Sequence, residues 1–272
     1  MTSTPLTDKY INLDTCAVVT EFPYMLNPFM LSDDENRFVT PPGELVPVGD
    51  RQLHALITGS GDQTIILEAG NGGCSQDWSR IQPELSRHAV VLSYDRAGFG
   101  WSRGEEKQQT CREDVEDLRT LLAEKQLKPP YVLVGTSFGG MTIRLFASMY
   151  PDEVSGLLLV DSIHEGMNIE AIAPGYRRST FSVADPEIEL GCARESVRQL
   201  YSAAPLRPSM PVIVLTAGKQ TEEWKDSQQA LFELTNCTIP LTVQDSEQDI
   251  HIHQPEAVVD AALSLAILGQ RG

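Results

Sequence analysis

Residues 131–140 read YVLVGTSFGG, and this stretch decides the fold. Its first four residues form a short, mostly apolar run of the kind that lies buried on both faces of a parallel sheet. Gly135, Ser137 and Gly139 then fit a glycine-x-serine-x-glycine pattern. A strand that turns directly into a helix strains the central serine and exposes its hydroxyl, and small neighbours make room for it. The stretch therefore predicts a nucleophilic Ser137 at a strand-to-helix turn.

Apolar runs and helix-like segments alternate along the rest of the chain. Short apolar runs lie at 65–67, 90–92, 157–160 and 212–215, and two strand-like runs at 44–48 and 52–58 flank the turn at 49–50. Helix-like segments lie at 77–87, 110–126, 139–149, 222–234 and 256–268. This alternation is typical of an α/β protein and predicts a doubly wound, mostly parallel sheet.

One connection is far longer than is usual between a strand and the next element. Residues 162–210 separate two predicted core strands and contain a helix-like piece at 193–203. We interpret 162–210 as a mainly helical cap insertion over the active site. The core then comprises 44–161 and 211–272, preceded by an N-terminal extension at 1–43.

Composition excludes several classes of protein. A net charge of −17 disfavours binding to nucleic acid or to anionic membrane surfaces. The sequence contains no apolar run long enough to span a bilayer and no secretory signal. The five cysteines are scattered and odd in number, which favours reduced thiols in a cytoplasmic protein. Oligomeric state has no signature in the sequence.

Two further loops make the family resemblance specific. Residues 68–73 read EAGNGG after one apolar run, and residues 94–102 read YDRAGFGWS after the next. Together with the serine turn and the C-terminal segment, they resemble the α/β-hydrolase superfamily, in particular serine esterases and lactonases, from residue 44 to the C-terminus. We predict a buried salt bridge or a hydrogen-bonded turn for Asp95 and Arg96.

The resemblance implies hydrolysis of an ester, lactone or thioester in a small-molecule substrate through an acyl-enzyme, with no cofactor and no metal. The mechanics of the serine turn place the backbone N–H of Phe138 at a helix N-terminus, where it can stabilise an oxyanion. The family resemblance implies the backbone N–H of Asn71 as the second donor. Ala69 stands where the family carries histidine, and this leaves the backbone donor possible.

The predicted acid is Asp161. It follows the run at 157–160, and catalytic groups gather at the carboxyl ends of such strands. The family more often places its acid one strand later. There the chain offers only Glu222 and Glu223, which remain the alternatives although they fit the charges expected at a helix N-terminus.

The expected catalytic histidine is missing. In the family it commonly stands seven positions before the proline that opens the last helix, and counting back from Pro255 gives Gln248. Glutamine cannot accept a proton from a serine hydroxyl near neutral pH. We favour an inactive His-to-Gln variant. His251 as the base, or a natural lyase, isomerase or ligand-binding protein on the same fold, are the alternatives.

Asp249, His251 and His253 would face one way in an extended segment, which is spacing suited to metal ligands. No other histidine or cysteine cluster supports a metal site, and we predict none.

Overall fold

An eight-stranded sheet forms the centre of the computed structural model, which describes residues 11–12, 17–18, 42–103, 109–167 and 186–269. Its strands are β1 (Glu44–Val48), β2 (Arg51–Gly59), β3 (Thr64–Glu68), β4 (Val90–Tyr94), β5 (Tyr131–Thr136), β6 (Val154–Val160), β7 (Val212–Ala217) and β8 (Thr238–Val243). They lie in the order β8-β7-β6-β5-β3-β4-β2-β1. All neighbours from β8 to β4 pair in parallel, and β2 and β1 are antiparallel at one edge. The predicted mostly parallel sheet is confirmed. Two two-residue strands, Ile11–Asn12 and Ala17–Val18, form a separate antiparallel pair.

Helices cover both faces of the sheet. They are α1 (Gln82–Leu85), α2 (Cys111–Glu124), α3 (Phe138–Met149), α4 (Pro186–Tyr201), α5 (Glu222–Leu231), α6 (Ile250–His253) and α7 (Pro255–Gly269). Side chains of β5 alternate between two apolar clusters: Leu133 packs in the cluster that contains Leu118 and Phe146, and Val134 in the cluster that contains Leu265. The central strands are therefore buried on both sides. Within the described ranges, no helix combines the length and apolar character needed to cross a membrane.

Two elements differ from the sequence prediction. The helix expected at 77–87 is divided into a 3-10 turn, Ser75–Trp78, and the short helix α1. Pro83 lies in the first turn of α1, where its missing N–H is tolerated, whereas a continuous helix would require that N–H. Strand β8 was missed because its residues alternate between buried and exposed and include Pro240, as befits a strand at the sheet edge.

The residues assigned to the insertion, 162–210, lie between β6 and β7 in the chain. Its helix α4 contacts the core where the Cys111 N–H at the start of α2 donates to the buried Ser196 hydroxyl oxygen, at 3.0 Å. Residues 168–185 lie outside the described ranges, as does most of the predicted extension at 1–43. The role of the insertion as a cap therefore stays a prediction.

The sequence predicts a buried salt bridge or a hydrogen-bonded turn for Asp95 and Arg96, and both carry buried polar contacts. Arg96 pairs with Glu68. The Nδ1 atom of His54 lies 3.1 Å from Asp95 Oδ2, and its Nε2 atom lies 2.6 Å from the Pro42 carbonyl oxygen. Since both ring nitrogens face oxygen acceptors, the arrangement suits a protonated imidazolium. Burial lowers the pKa of His54, but the hydrogen bond and charge of Asp95 and the Pro42 carbonyl outweigh it and raise the pKa above 6.5.

This buried pair gives stability a defined pH dependence. Because the folded-state pKa is raised, the stabilisation is fully present below pH 6.5 and is lost as the pH rises through the folded-state pKa. The contribution falls by at most about 1.4 kcal/mol per pH unit. We expect His54→Gln to abolish this component in urea unfolding measured from pH 5 to 9. The exposed His88→Gln control should keep it, and identical profiles for the two variants would contradict the assignment.

Candidate active site

Ser137 occupies the turn between β5 and α3, as predicted. Its backbone has φ 50° and ψ −117°, a conformation that costs a non-glycine residue about 1–3 kcal/mol. Hydrogen bonds hold it on both sides: the Ser137 N–H donates to the Val160 carbonyl at 3.1 Å, and its own carbonyl accepts from the Ile163 N–H at 3.1 Å. The neighbouring strand end thus maintains the strain.

The glycines of the motif are required by close backbone contacts. A methyl group on Gly139 would lie 2.5 Å from the Ala69 carbonyl oxygen, and one on Gly135 would lie 2.6 Å from the Gly139 carbonyl oxygen. Real Cβ atoms essentially never approach so closely. Helix α3 can therefore start directly against the loop that follows β3 only if both positions lack a side chain.

The loop after β3 reaches the serine. A methyl group placed on Gly70 would lie 3.3 Å from the Cβ atom of Ser137. The next residue, Asn71, is only 6% exposed, and neither polar atom of its side-chain amide has a hydrogen-bond partner among the described residues. Phe138 is the first residue of α3, where a backbone N–H has no acceptor within the helix. Asn71 thus follows the glycine that lies against Ser137, and Phe138 begins the helix directly after Ser137.

Asp161 lies at the end of β6, beside the serine turn. It is fully buried, with a φ of 44°. Its Oδ1 accepts from the Ala217 N–H at 3.0 Å, and its Oδ2 accepts from the Gln220 side-chain amide at 2.8 Å. The pKa of Asp161 is raised to about 6, mainly by burial and to a smaller extent by the charge of Asp249, while its hydrogen bonds act in the opposite direction.

The alternative acids lie elsewhere. Glu222 and Glu223 are exposed in the first turn of α5, whose N-terminus is capped by the Thr221 hydroxyl accepting from the Trp224 N–H. Glu222 accepts a hydrogen bond from Lys225 at 2.9 Å. Both glutamates match the helix-terminal interpretation of the sequence.

Gln248 lies half-buried in the turn between β8 and α6, where its backbone carbonyl accepts from the Ile250 N–H at 2.9 Å. In the part of the chain that the structure describes, its side chain makes no hydrogen bond to Asp161. Gln220 provides that side-chain contact instead. Gln220 was missed by sequence reasoning, since nothing in its local pattern marks it as a partner of a residue on another strand.

His251 is buried against Trp78, with ring centres 5.3 Å apart, and its Nδ1 has no hydrogen-bond partner in the described ranges. Burial, together with a smaller effect of the charge of His253, lowers the pKa of His251 to about 4. A catalytic base needs an acid on one ring nitrogen. His251 has no such partner at Nδ1.

The segment around His251 is helical, because α6 spans Ile250–His253. The expectation of an extended conformation was wrong, and with it the argument that Asp249, His251 and His253 face one way, since residues two apart do not share a helix face. The described ranges contain no cluster of three or more potential metal ligands.

Comparison with known proteins identifies the architecture. A family described as "alpha/beta hydrolase fold" matches residues 63–186. The chain has the α/β-hydrolase fold. The crystal structure of an enol-lactonase from Burkholderia xenovorans aligns to this α/β-hydrolase fold with a TM-score of 0.67 and 18% identity, covering 82% of this chain and all of the enol-lactonase chain. The predicted fold class is confirmed.

Two relatives extend the match along the sequence. The uncharacterised protein YqjL of Bacillus subtilis is 27% identical over 207 residues, covering 74% of this chain and 82% of that protein. A pimeloyl-[acyl-carrier protein] methyl ester esterase of Sodalis glossinidius is 27% identical over 193 residues, covering 65% of this chain and 73% of the esterase. These matches support a hydrolase in general terms.

Proposed function

We propose that this α/β-hydrolase fold supports a serine hydrolase that cleaves an ester, lactone or thioester in a small molecule through an acyl-enzyme. The observation that carries the proposal is Ser137, held in a strained turn at a helix N-terminus with buried Asp161 ending the adjacent strand. Such a turn presents a nucleophile at the carboxyl edge of the sheet. The methyl ester esterase among the relatives agrees with this chemistry. The four cysteines in the described ranges form no disulfide, which favours a cytoplasmic location.

In the proposed reaction, the Ser137 hydroxyl oxygen attacks the carbonyl carbon while its proton passes to a base at position 248. The N–H groups of Asn71 and Phe138 donate to the resulting oxyanion. Collapse of that intermediate breaks the bond to the leaving group, which takes the proton from the base. Water then attacks the acyl-enzyme with the same base assisting, and the acid is released as Ser137 regains its proton. Asp161 orients the base and stabilises its charged form.

Gln248 cannot carry that proton. We therefore propose that the given chain is a catalytically impaired form, in which glutamine stands where the active form has histidine. The rest of the constellation is retained: the strained serine, its glycines and the buried aspartate.

A non-hydrolytic lyase, isomerase or ligand-binding protein is the second candidate. The observation that favours it is the hydrogen bond from Gln220 to Asp161, at 2.8 Å, because the acid already has an uncharged side-chain partner. In this case Gln248 is the natural residue, and the site binds its ligand without hydrolysing it.

A fluorophosphonate probe separates the two candidates. General base assistance is worth about 10²–10⁴-fold. We expect Gln248→His to increase the second-order rate of labelling at Ser137 by at least about 10²-fold over the given chain. Intact-mass spectrometry measures the rate, and Ser137→Ala in the Gln248→His background should not label. Equally slow labelling of the given chain and Gln248→His would favour the binding protein.

A further inference from the structure

The guanidinium of Arg96 lies directly beneath the loop that contains Asn71. Arg96 follows β4 and is only 4% exposed. Its Nη1 donates to the Ala69 carbonyl oxygen at 2.7 Å, and its Nη2 donates to the Gly70 carbonyl oxygen at 2.6 Å. Nη1 also donates to the Glu68 carboxylate. One side chain thus binds three consecutive residues at the end of β3.

These contacts fix the direction of the peptide N–H groups. In a planar trans peptide the C=O and N–H bonds point in opposite directions. The carbonyl of Gly70 accepts from Arg96 and also from the Gly73 N–H at 3.1 Å. The N–H of the same peptide unit belongs to Asn71 and must therefore point away from Arg96. A flip of this peptide would break both hydrogen bonds and reverse the direction of the Asn71 N–H.

The same guanidinium lies near the side chain of Phe138, whose backbone N–H is the other proposed oxyanion donor. Its central carbon lies 5.9 Å from the centre of the Phe138 ring and 5.5 Å from that of Phe99, distances at which a cation is attracted to an aromatic face. Arg96 is itself held, because the Glu68 carboxylate that pairs with it also accepts from the buried Tyr94 hydroxyl. A fixed side chain therefore connects the loop of Asn71 to the residue that follows Ser137.

We propose that Arg96 is a positioning residue that presets the N–H of Asn71 for the oxyanion. It contacts no reacting atom and acts through the two carbonyl groups. This inference rests on the proposed hydrolase function. Lysine cannot replace it, because a single ammonium lacks the planar fork that meets two carbonyls and a carboxylate together.

Kinetics in the Gln248→His background test the proposal. Loss of one oxyanion donor costs about 10²–10³-fold in kcat. For Arg96→Gln and Arg96→Lys we expect kcat for an aryl ester to fall by about 10²-fold. KM should change by less than about threefold, because the preset N–H stabilises the transition state more than the bound ester.

Arg144→Gln is the matched control. Arg144 is also 4% exposed and pairs with Glu165 at 2.7 Å, and it makes no hydrogen bond to the loop at 68–73. The variant Arg144→Gln should lower the melting temperature as Arg96→Gln does. Its kcat should stay within about threefold of the parent value, because the interaction it removes lies outside the transition state. If Arg96→Lys and Arg96→Gln keep kcat while losing comparable stability, Arg96 is merely structural and the proposal is wrong.

A second readout does not depend on turnover. In a crystal structure of Arg96→Lys made in the given chain, which retains a cation beside Glu68, we expect the Gly70 carbonyl to rotate away from its present direction. An unchanged peptide would overturn the positioning role. If Gln248→His shows no hydrolysis, the proposed function fails, but this structure still decides whether Arg96 sets the peptide.

Discussion

Replacing Gln248 with histidine is expected to raise kcat/KM for a short-chain aryl ester by at least about 10⁴-fold. Removal of the base alone costs about 10⁶-fold in a serine triad that acts as a unit. The smaller expected gain allows for Gln220, whose amide already donates to Asp161 and competes for the carboxylate. A carboxylate oxygen has two lone pairs, so Asp161 can accept from both Gln220 and an imidazole.

The position follows from the chain geometry. Position 248 lies in the turn after β8. The neighbouring strand β7 ends at Ala217, whose N–H binds Asp161, and Gln220 binds Asp161 from the turn that follows β7. His251 instead lies in α6 against Trp78, with its pKa lowered to about 4. A base with that pKa is neutral at pH 7 but too weak to accept a serine proton efficiently.

Steady-state hydrolysis by the given chain, Gln248→His and His251→Ala decides between the two bases. The given chain should be barely above background, and His251→Ala should not change it. Ser137→Ala in the Gln248→His background should return activity to the level of the given chain. If the given chain is already a fast esterase that His251→Ala inactivates, His251 is the base and position 248 is not.

The sequence predicts those parts of the fold and site that depend on local pattern. The strand before Ser137 is a continuous apolar run, and Gly135 and Gly139 are needed because backbone atoms approach them too closely for a side chain. Asp161 could be placed at the carboxyl ends of the parallel strands because it directly follows a buried strand. In each case the residues next to the site carry the physical reason.

Contacts between distant segments could not be predicted in the same way. Gln220 donates to Asp161 from a different strand end, and Arg96 binds carbonyl groups of Ala69 and Gly70. Backbone carbonyls leave no signature in a sequence, so these partners appear only when β3, β4, β6 and β7 are placed side by side. The helix around His251 was missed because four residues are too few to show a period.

Asp161→Asn is expected to change activity and stability in opposite directions. In the Gln248→His background kcat should fall by about 10⁴-fold, because asparagine can neither orient the imidazole correctly nor stabilise its charge. At pH values above 7, the free energy of unfolding should be higher for Asp161→Asn than for its parent. The folded-state pKa of Asp161 is raised from 3.8 to about 6, so its protonated form is favoured in the folded protein.

The sign and size of the stability effect follow from that shift. A raised folded-state pKa gives stability that is present below about pH 4 and is lost as the pH rises through about 6. A shift of roughly two pH units corresponds to about 3 kcal/mol. Asparagine is neutral throughout and keeps its hydrogen bond from Ala217. Urea unfolding should therefore show Asp161→Asn matching the parent at pH 4 and exceeding it by up to about 3 kcal/mol at pH 7.5.

The two exposed glutamates that are the alternative acids, Glu222 and Glu223, provide the control for this prediction. Glu222→Gln and Glu223→Gln should leave both kcat and the pH profile of stability unchanged, since neither carboxylate is buried. A collapse of kcat in either variant, with Asp161→Asn retaining activity, would assign the acid to α5. Loss of stability at pH 7.5 in Asp161→Asn would instead show that the ionised carboxylate contributes more through its hydrogen bonds than its burial costs. A gain in stability together with the loss of kcat is the outcome expected of a buried charge retained for catalysis.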